Sequence, residues 1–294
     1  MPAILCVGAL TMDTIFRLDR LPDGPGKAIP LDAVEVAEGM AAAQAASIAR
    51  LGGAAALWAS AGDDATGDRL IAQIEGEGVD CSRVRRVVGG RSGFSSIFMD
   101  RTGSTMIVPR YDPDLMAAPS EVPDLTGFGA VMTDVRWPGA AALALSAARE
   151  AGIPAILDAD MAAPEILHHL VPLASHVVAS ESAAELITGA TTPEAAARAL
   201  LGTAEFVAVT AGADGCWWSD ADTIRHSPAP RVEAIDTLAA GDVFHAGFAL
   251  KLTEGAPMAD TIAFASAAAA IKCTRFGGRL GCPGRAEVEA FLAG

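Results

Sequence analysis

Apolar residues fall in short blocks separated by glycine, proline and charge, and the period of the blocks changes along the chain. Residues 3–7 form a continuous apolar run closed by Gly8, the pattern of a buried strand. Residues 14–36 mix polar and apolar positions, are punctuated by Pro22, Gly24, Pro25 and Pro30, and read as extended. Helix formers run unbroken over 41–51 and stop at Gly52-Gly53, where C-terminal glycines belong. A strand over 56–61 and a helix over 66–77 follow. The runs 94–99 and 104–108 flank Asp100-Arg101-Thr102-Gly103, a hairpin signal.

From residue 128 onward strands and helices alternate: strand 130–133, helix 140–151, strands 155–157 and 177–179, helix 193–201, strand 206–210. Such alternation means parallel pairing with helices on both faces of a sheet. A turn-rich segment over 214–233 precedes two long helices of small residues, 240–254 and 258–273. The expected fold class is α/β: a three-layer core with a mainly parallel central sheet, in a single domain over 1–294. Segments 14–36 and 93–112, inserted in that core, form a small β-sheet lid placed to cover a site at the carboxyl ends of the strands.

Composition sharpens this picture by exclusion. With 51% hydrophobic and 19% charged residues the chain is well cored, which rules out disorder. A net charge of −15 excludes the basic stripe needed for nucleic acid and disfavours an anionic lipid surface, so neither nucleic acid nor membrane is an expected partner. Five scattered cysteines without a C-x-x-C pair give no disulfide framework or zinc site. The apolar run at 4–7 has no basic region before it and no cleavage site after it, so a strand and not a leader is expected there, and no stretch has the ~20 uncharged residues of a spanning helix. Cytoplasmic residence is the expectation.

Candidate chemistry concentrates in Asp236-Thr237-Leu238-Ala239-Ala240-Gly241-Asp242-Val243-Phe244, where small residues open a long helix. A helix beginning there offers unpaired N–H groups and its positive dipole end to an anion. Asp242 in the first turn has two readings: it complements the dipole, or it is the general base for a hydroxyl attacking phosphorus. A dinucleotide-dependent oxidoreductase is disfavoured, because Gly8-Ala9-Leu10-Thr11-Met12-Asp13 follows the first strand in place of G-x-G-x-x-G.

This segment resembles the D-T-x-G-A-G-D-x-F signature of the ribokinase-like, or PfkB, family of carbohydrate kinases. Other landmarks follow in order: Asp13, Gly39 with the helix ending Ala49-Arg50-Leu51-Gly52, the run Gly62-Asp63-Asp64-Ala65-Thr66-Gly67, Thr210-Ala211-Gly212-Ala213-Asp214-Gly215, and Thr274-Arg275-Phe276-Gly277-Gly278. The resemblance implies ATP and Mg²⁺ as cofactors, K⁺ near Asp236, and transfer of a phosphoryl group to a sugar hydroxyl. Asp242 is then the base, the backbone of Ala240, Gly241 and Asp242 forms the anion hole, and Ala239 belongs to the same catalytic turn. Asp13 and Gly39 bind substrate; Thr210, Gly212, Gly215, Thr237 and Gly277 border the nucleotide.

Departures from the family pattern bear on specificity. Ala239 stands at a usual glycine, Glu38 at the first glycine of a Gly-Gly pair, and Ala43 at an asparagine that contacts sugar hydroxyls. Ser180 and Ala183 replace the named residues of N-x-x-E, which leaves Ser180, Glu181 and Glu185 to serve nucleotide and metal; Glu181, Glu185 and Asp236 are the metal candidates. Lys27, Arg110 and Arg136 either converge on an anionic substrate tail or are surface and salt-bridged residues. The motifs L-P-x-x-x-G-K, D-V-R-W, L-D-A-D and K-C-T-R-x-G-G-R are similar to the sulfofructose kinase branch, although Pro109 replaces a polar lid residue. An anionic hexose derivative (a sulfosugar, sugar acid or phosphosugar) therefore ranks first and a neutral sugar second. Loss of the N-x-x-E residues keeps a non-catalytic nucleotide or sugar-phosphate binding protein open, against which intact Asp242 argues. Exposed lid edges lead us to expect a homodimer. His245 reads as packed, Trp217-Trp218 as strand packing, and Cys273 and Cys282 as structural thiols.

Overall fold

A computed structural model describes residues 2–294. The first half of the chain runs β1 (Ala3–Gly8), β2 (Thr11–Arg17), β3 (Asp32–Glu38), α1 (Met40–Arg50), β4 (Ala55–Gly62), α2 (Ala65–Glu75), β5 (Arg85–Val87), β6 (Gly93–Met99), β7 (Thr105–Arg110), β8 (Phe128–Thr133) and α3 (Pro138–Glu150). The second half runs β9 (Ala155–Ala159), α4 (Pro164–Leu170), β10 (His176–Ser180), α5 (Glu181–Thr188), α6 (Pro193–Leu200), β11 (Phe206–Thr210), β12 (Cys216–Asp220), β13 (Thr223–Ser227), α7 (Ala240–Thr253), α8 (Met258–Cys273) and α9 (Arg285–Ala293).

The large sheet has nine strands in the order β13-β12-β11-β10-β9-β8-β1-β4-β5, parallel from β5 to β11. Strand β1 reads as an unbroken apolar run because it is covered on both faces. On one face Ile48, Leu70, Phe248 and Phe264 bring α1, α2, α7 and α8 into a common core. On the other, Leu145, Leu167, Ala183 and Leu200 do the same for α3, α4, α5 and α6. This is the expected three-layer α/β architecture. The turn-rich 214–233 segment hides an antiparallel hairpin, β12 and β13, in which Trp217 stacks on His226 at 4.1 Å and the Trp218 indole donates to Ser227 at 2.9 Å. The sequence pattern likewise predicts no element at the short β5, α4, α5 or α9.

The second sheet has the order β3-β2-β6-β7, so the two extended segments do combine into one small sheet. Its inner face packs Ile15, Val36, Ile97 and Met99 against Leu238 and Phe276, which ties it to the loop before α7.

A buried carboxylate links the two sheets. Asp134, just past β8, accepts from the backbone N–H groups of Ala9 (2.8 Å), Ala41 (3.1 Å) and Arg136 (2.7 Å), holding the β1–β2 turn and the start of α1 together. A Cβ on Gly8 would meet the Asp134 carboxyl at 2.1 Å, so only glycine fits there. Asp134→Ala leaves these donors unpaired, and we expect a loss of about 3 kcal/mol or more in stability, read by chemical denaturation. An unchanged midpoint would contradict this role.

Candidate active site

Helix α7 opens in an unusual way. Ala239, its N-cap, lies in the left-handed region at φ 57°, ψ 11°, a conformation costly for a residue with a Cβ. The Ala240 N–H bonds back to the Thr237 carbonyl at 3.2 Å, and the next residue, Gly241, faces open space, with nothing within 4 Å of where a Cβ would stand. Asp242 follows in the same turn, half-buried.

Two cavities meet at this turn. One, of about 450 Å³, is lined by Asp13, Glu38, Gly39, Arg136, Asp160 and Asp242 among others. The other, of about 590 Å³, is bordered by Thr210, Gly212, Gly215, Thr237, Ala240 and Gly241, with Val232, Phe244 and Ala270 giving it an apolar wall. The N-terminus of α7 thus separates them: Asp242 faces one, and the bare backbone of Ala240 and Gly241 faces the other.

Carboxyl groups crowd the first cavity. The Gln44 amide donates to Asp158 at 2.6 Å and to Asp242 at 3.5 Å, bridging the two. His245 lies 3.3 Å from Asp158 and contacts the carbonyls of Gly241 (2.8 Å) and Val178 (3.2 Å); burial lowers its pKa. It is packed, as expected, and it also walls the carboxylate pair. Burial, then the charges of Asp158 and Asp134, push the Asp242 carboxyl well above the ordinary range. Asp158 is raised likewise, by burial and then by Asp160. Glu38, buried with its carboxylate accepting the Arg279 N–H at 2.8 Å, is pushed up to about 8 by burial. Asp13 is 8% exposed, and one of its oxygens, Oδ1, has no partner.

Of the basic candidates only Arg136 reaches the cleft, and Asp160 already holds it at 2.8 Å while the Met161 carbonyl accepts at 2.7 Å. Arg110 does not join it. Pro109 and Tyr111 line the cleft, and strand alternation puts Arg110 on the opposite face, 3.9 Å from Asp112. Lys27 sits exposed in the long β2–β3 connection, outside the cleft. Of the two readings of these three residues, convergence on one anion is not formed, and Arg110 and Arg136 are salt-bridged.

The remaining candidates sort by strand end. Ser180, which caps α5, donates to Asp160 at 3.3 Å across the carboxyl ends of β9 and β10. Glu181 is the exposed first residue of α5; Glu185 lies a turn later, also exposed. Among the described residues no three carboxylate, histidine or cysteine side chains group as a metal cage. Asp236 is buried and receives donors from Leu238 (2.7 Å), Gly277 (2.8 Å) and Gly278 (3.0 Å), and Lys272 contacts it at 3.1 Å. Gly277 therefore fixes the loop before α7 without lining the second cavity. Asp158, Asp160 and Lys272 lie in the motifs L-D-A-D and K-C-T-R-x-G-G-R, which predict no individual role for them, and Gln44 carries no sequence signal.

A three-layer α/β fold whose helix N-terminus stands between an apolar-walled cavity and a carboxyl-lined cleft defines a group-transfer class of protein. The pfkB family carbohydrate kinase model matches residues 1–284. The chain belongs to that family of phosphotransferases. It is similar to an Agrobacterium tumefaciens protein assigned provisionally as a ribokinase, whose solved structure shares 43% identity at a TM-score of 0.96 and covers 99% of this chain and 97% of that one. An ATP-dependent ribose-1-phosphate kinase of Halopiger xanaduensis is 29% identical over 100% of this chain and 99% of its own length. The ribokinase of Schizosaccharomyces pombe is 26% identical over 97% and 96%.

Proposed function

We propose that the protein transfers the γ-phosphoryl group of ATP to a primary hydroxyl of a neutral sugar. The observation that carries this reading is the division of one helix terminus between two cavities, with base on one side and anion-binding backbone on the other. Asp242 takes the hydroxyl proton, and the N–H groups of Gly241 and Asp242, the next two in the first turn after the Ala240 N–H that donates to the Thr237 carbonyl, stabilise the charge that develops on the phosphoryl oxygens. Gln44 holds Asp242 toward the cleft.

The donor set suits Mg²⁺ carried in with ATP, because this ion keeps water ligands and takes one or two carboxylates plus phosphates. Asp160 and Glu181 would hold its hydration shell, and the ion would neutralise phosphate charge. ATP fits the second cavity by size and by its apolar wall.

Neutral sugar is preferred over anionic because Asp13, Asp160 and Asp242 face the cleft beside Glu38, which its raised pKa of about 8 keeps largely protonated at neutral pH, and the Arg136 guanidinium is already paired with Asp160. Carboxylates accept hydrogen bonds from sugar hydroxyls, and the ionised ones repel a second anion. Arg136 itself favours one second reading, an anionic sugar bound by its guanidinium, as the sulfofructose kinase resemblance would have it. ADP release measured across neutral hexoses and pentoses, sugar acids, phosphosugars and 6-deoxy-6-sulfofructose separates the two. Turnover with a neutral sugar supports the first reading; turnover confined to anionic sugars and abolished by Arg136→Ala replaces it with the second. ATP binding without any turnover would return the binding-protein alternative.

The small sheet acts as a lid that closes over the sugar and excludes water. Its outer face supports pairing with a second copy: Phe94, Met106 and Val108 are 44%, 40% and 53% exposed, beside a stacked Phe16–Phe98 pair. We expect a homodimer by sedimentation, and Val108→Asp to shift it to monomer. A monomeric wild type would contradict the pairing.

A further inference from the structure

We infer that the ammonium of Lys272 takes the place of a monovalent cation beside Asp236, so that this enzyme, read as the kinase above, works without K⁺. Lys272 lies in the last turn of α8, fully buried, in an otherwise small and apolar stretch. Its Nζ donates to the Asp236 carbonyl at 2.7 Å and lies 3.1 Å from Asp236 Oδ1, with both side chains wholly enclosed.

Charge counting decides what else this spot can hold. Asp236 and Lys272 form a neutral buried pair. A further cation would leave a net positive charge in a closed interior, at a large desolvation cost. The oxygens it would use are also engaged. The carboxylate accepts from Leu238, Gly277 and Gly278 and is ion-paired with Lys272, and the Asp236 carbonyl accepts from Lys272. The residues present therefore do not fit K⁺ at Asp236.

The position makes Lys272 a positioning residue. Asp236 begins the short loop that ends in the left-handed Ala239 and the open start of α7, with the Ala240 N–H bonded to the Thr237 carbonyl at 3.2 Å. The N–H groups of Ile235 and Asp236 donate to the Cys273 carbonyl at 2.7 and 3.1 Å, so the end of α8 clamps this loop twice. A cation tethered in the chain keeps the phosphoryl-binding backbone in place without recruiting one from solution. The same pair couples that loop to Gly277 and Gly278 beyond α8.

The test compares wild type and Lys272→Ala in tetramethylammonium chloride and in KCl at constant ionic strength, reading sugar-dependent ADP formation and thermal melting. Wild type is expected to show the same rate and the same melting temperature in both salts. The variant is expected to lose about 10²-fold in rate in tetramethylammonium, as loosened positioning groups do, and to recover rate and melting temperature in KCl or NH₄Cl. A merely structural lysine would leave a variant that neither salt rescues. Wild-type activity that rises with K⁺, or a folded variant with wild-type rate and melting in both salts, overturns the inference. Should Lys272→Ala not fold, the wild-type titration decides it. If no sugar is phosphorylated in any salt, the kinase reading fails, and the melting comparison still decides the role of Lys272.

Discussion

Asp242→Asn is expected to lower kcat by about 10³-fold or more while ATP binding stays at the wild-type level, the size of effect that follows from removing a positioned general base. The amide keeps the shape and the contact with Gln44, so the loss isolates proton abstraction. Burial and the neighbouring Asp158 raise the Asp242 pKa, and this fixes the pH dependence. The base works only when ionised, so wild-type activity falls as pH drops through that raised value, above the ordinary carboxylate range of about 4. Stability runs the other way. A folded-state pKa above the unfolded one means the folded protein holds the proton more tightly, so the stability it contributes is full at low pH and lost as pH rises through the folded value. At neutral pH Asp242→Asn should melt at or above wild type, which separates lost chemistry from lost fold. An active variant, or one inactive because it is unfolded, would count against Asp242 as the base.

The second large effect belongs to Asp13. This carboxylate is nearly enclosed, and its Oδ1 is an unpaired acceptor in a protein interior where almost every buried polar atom is satisfied. Burial raises its pKa, with the hydroxyls of Thr11 and Ser95 acting against that. Such a group is costly for the empty protein and becomes favourable when a sugar hydroxyl donates to it. Removing it as Asp13→Ala costs the charge-assisted bonds to the substrate, about 1.5–3 kcal/mol each. We expect kcat/KM for the sugar to fall by about 10²-fold, with the KM for ATP unchanged. An unaltered sugar KM would show that Asp13 does not touch the substrate.

How much of this was legible in the chain depends on whether a feature is local. The start of α7 was readable, because an uninterrupted run of small residues ahead of an acid admits few other uses. The parallel core was readable from its alternation. The β12–β13 hairpin was not, since its strands lie among turn residues and owe their form to pairing with β11. The strand period decides between the two readings of Arg110: Pro109 in β7 and Tyr111 just past it both line the cleft, and the residue between them faces the other way. The same rule puts Asp158 and Asp160 on one face at the end of β9, and the spacing in L-D-A-D carries that signal. Gln44 is different. Nothing near it in sequence tells that it will meet residues 158 and 242; only the packing of α1 against α7 brings them together. Lys272 did carry a mark, a charge in a helix otherwise built to be buried, but its partner lies 36 residues away.

The most direct test of the central claim is ³¹P NMR of wild-type protein turning over Mg-ATP with the neutral sugar that releases the most ADP. The account predicts a phosphomonoester resonance split by methylene protons, forming in step with ADP and absent with Asp242→Asn. Inorganic phosphate in place of the ester, or the same ester formed at an unchanged rate by the variant, would contradict it.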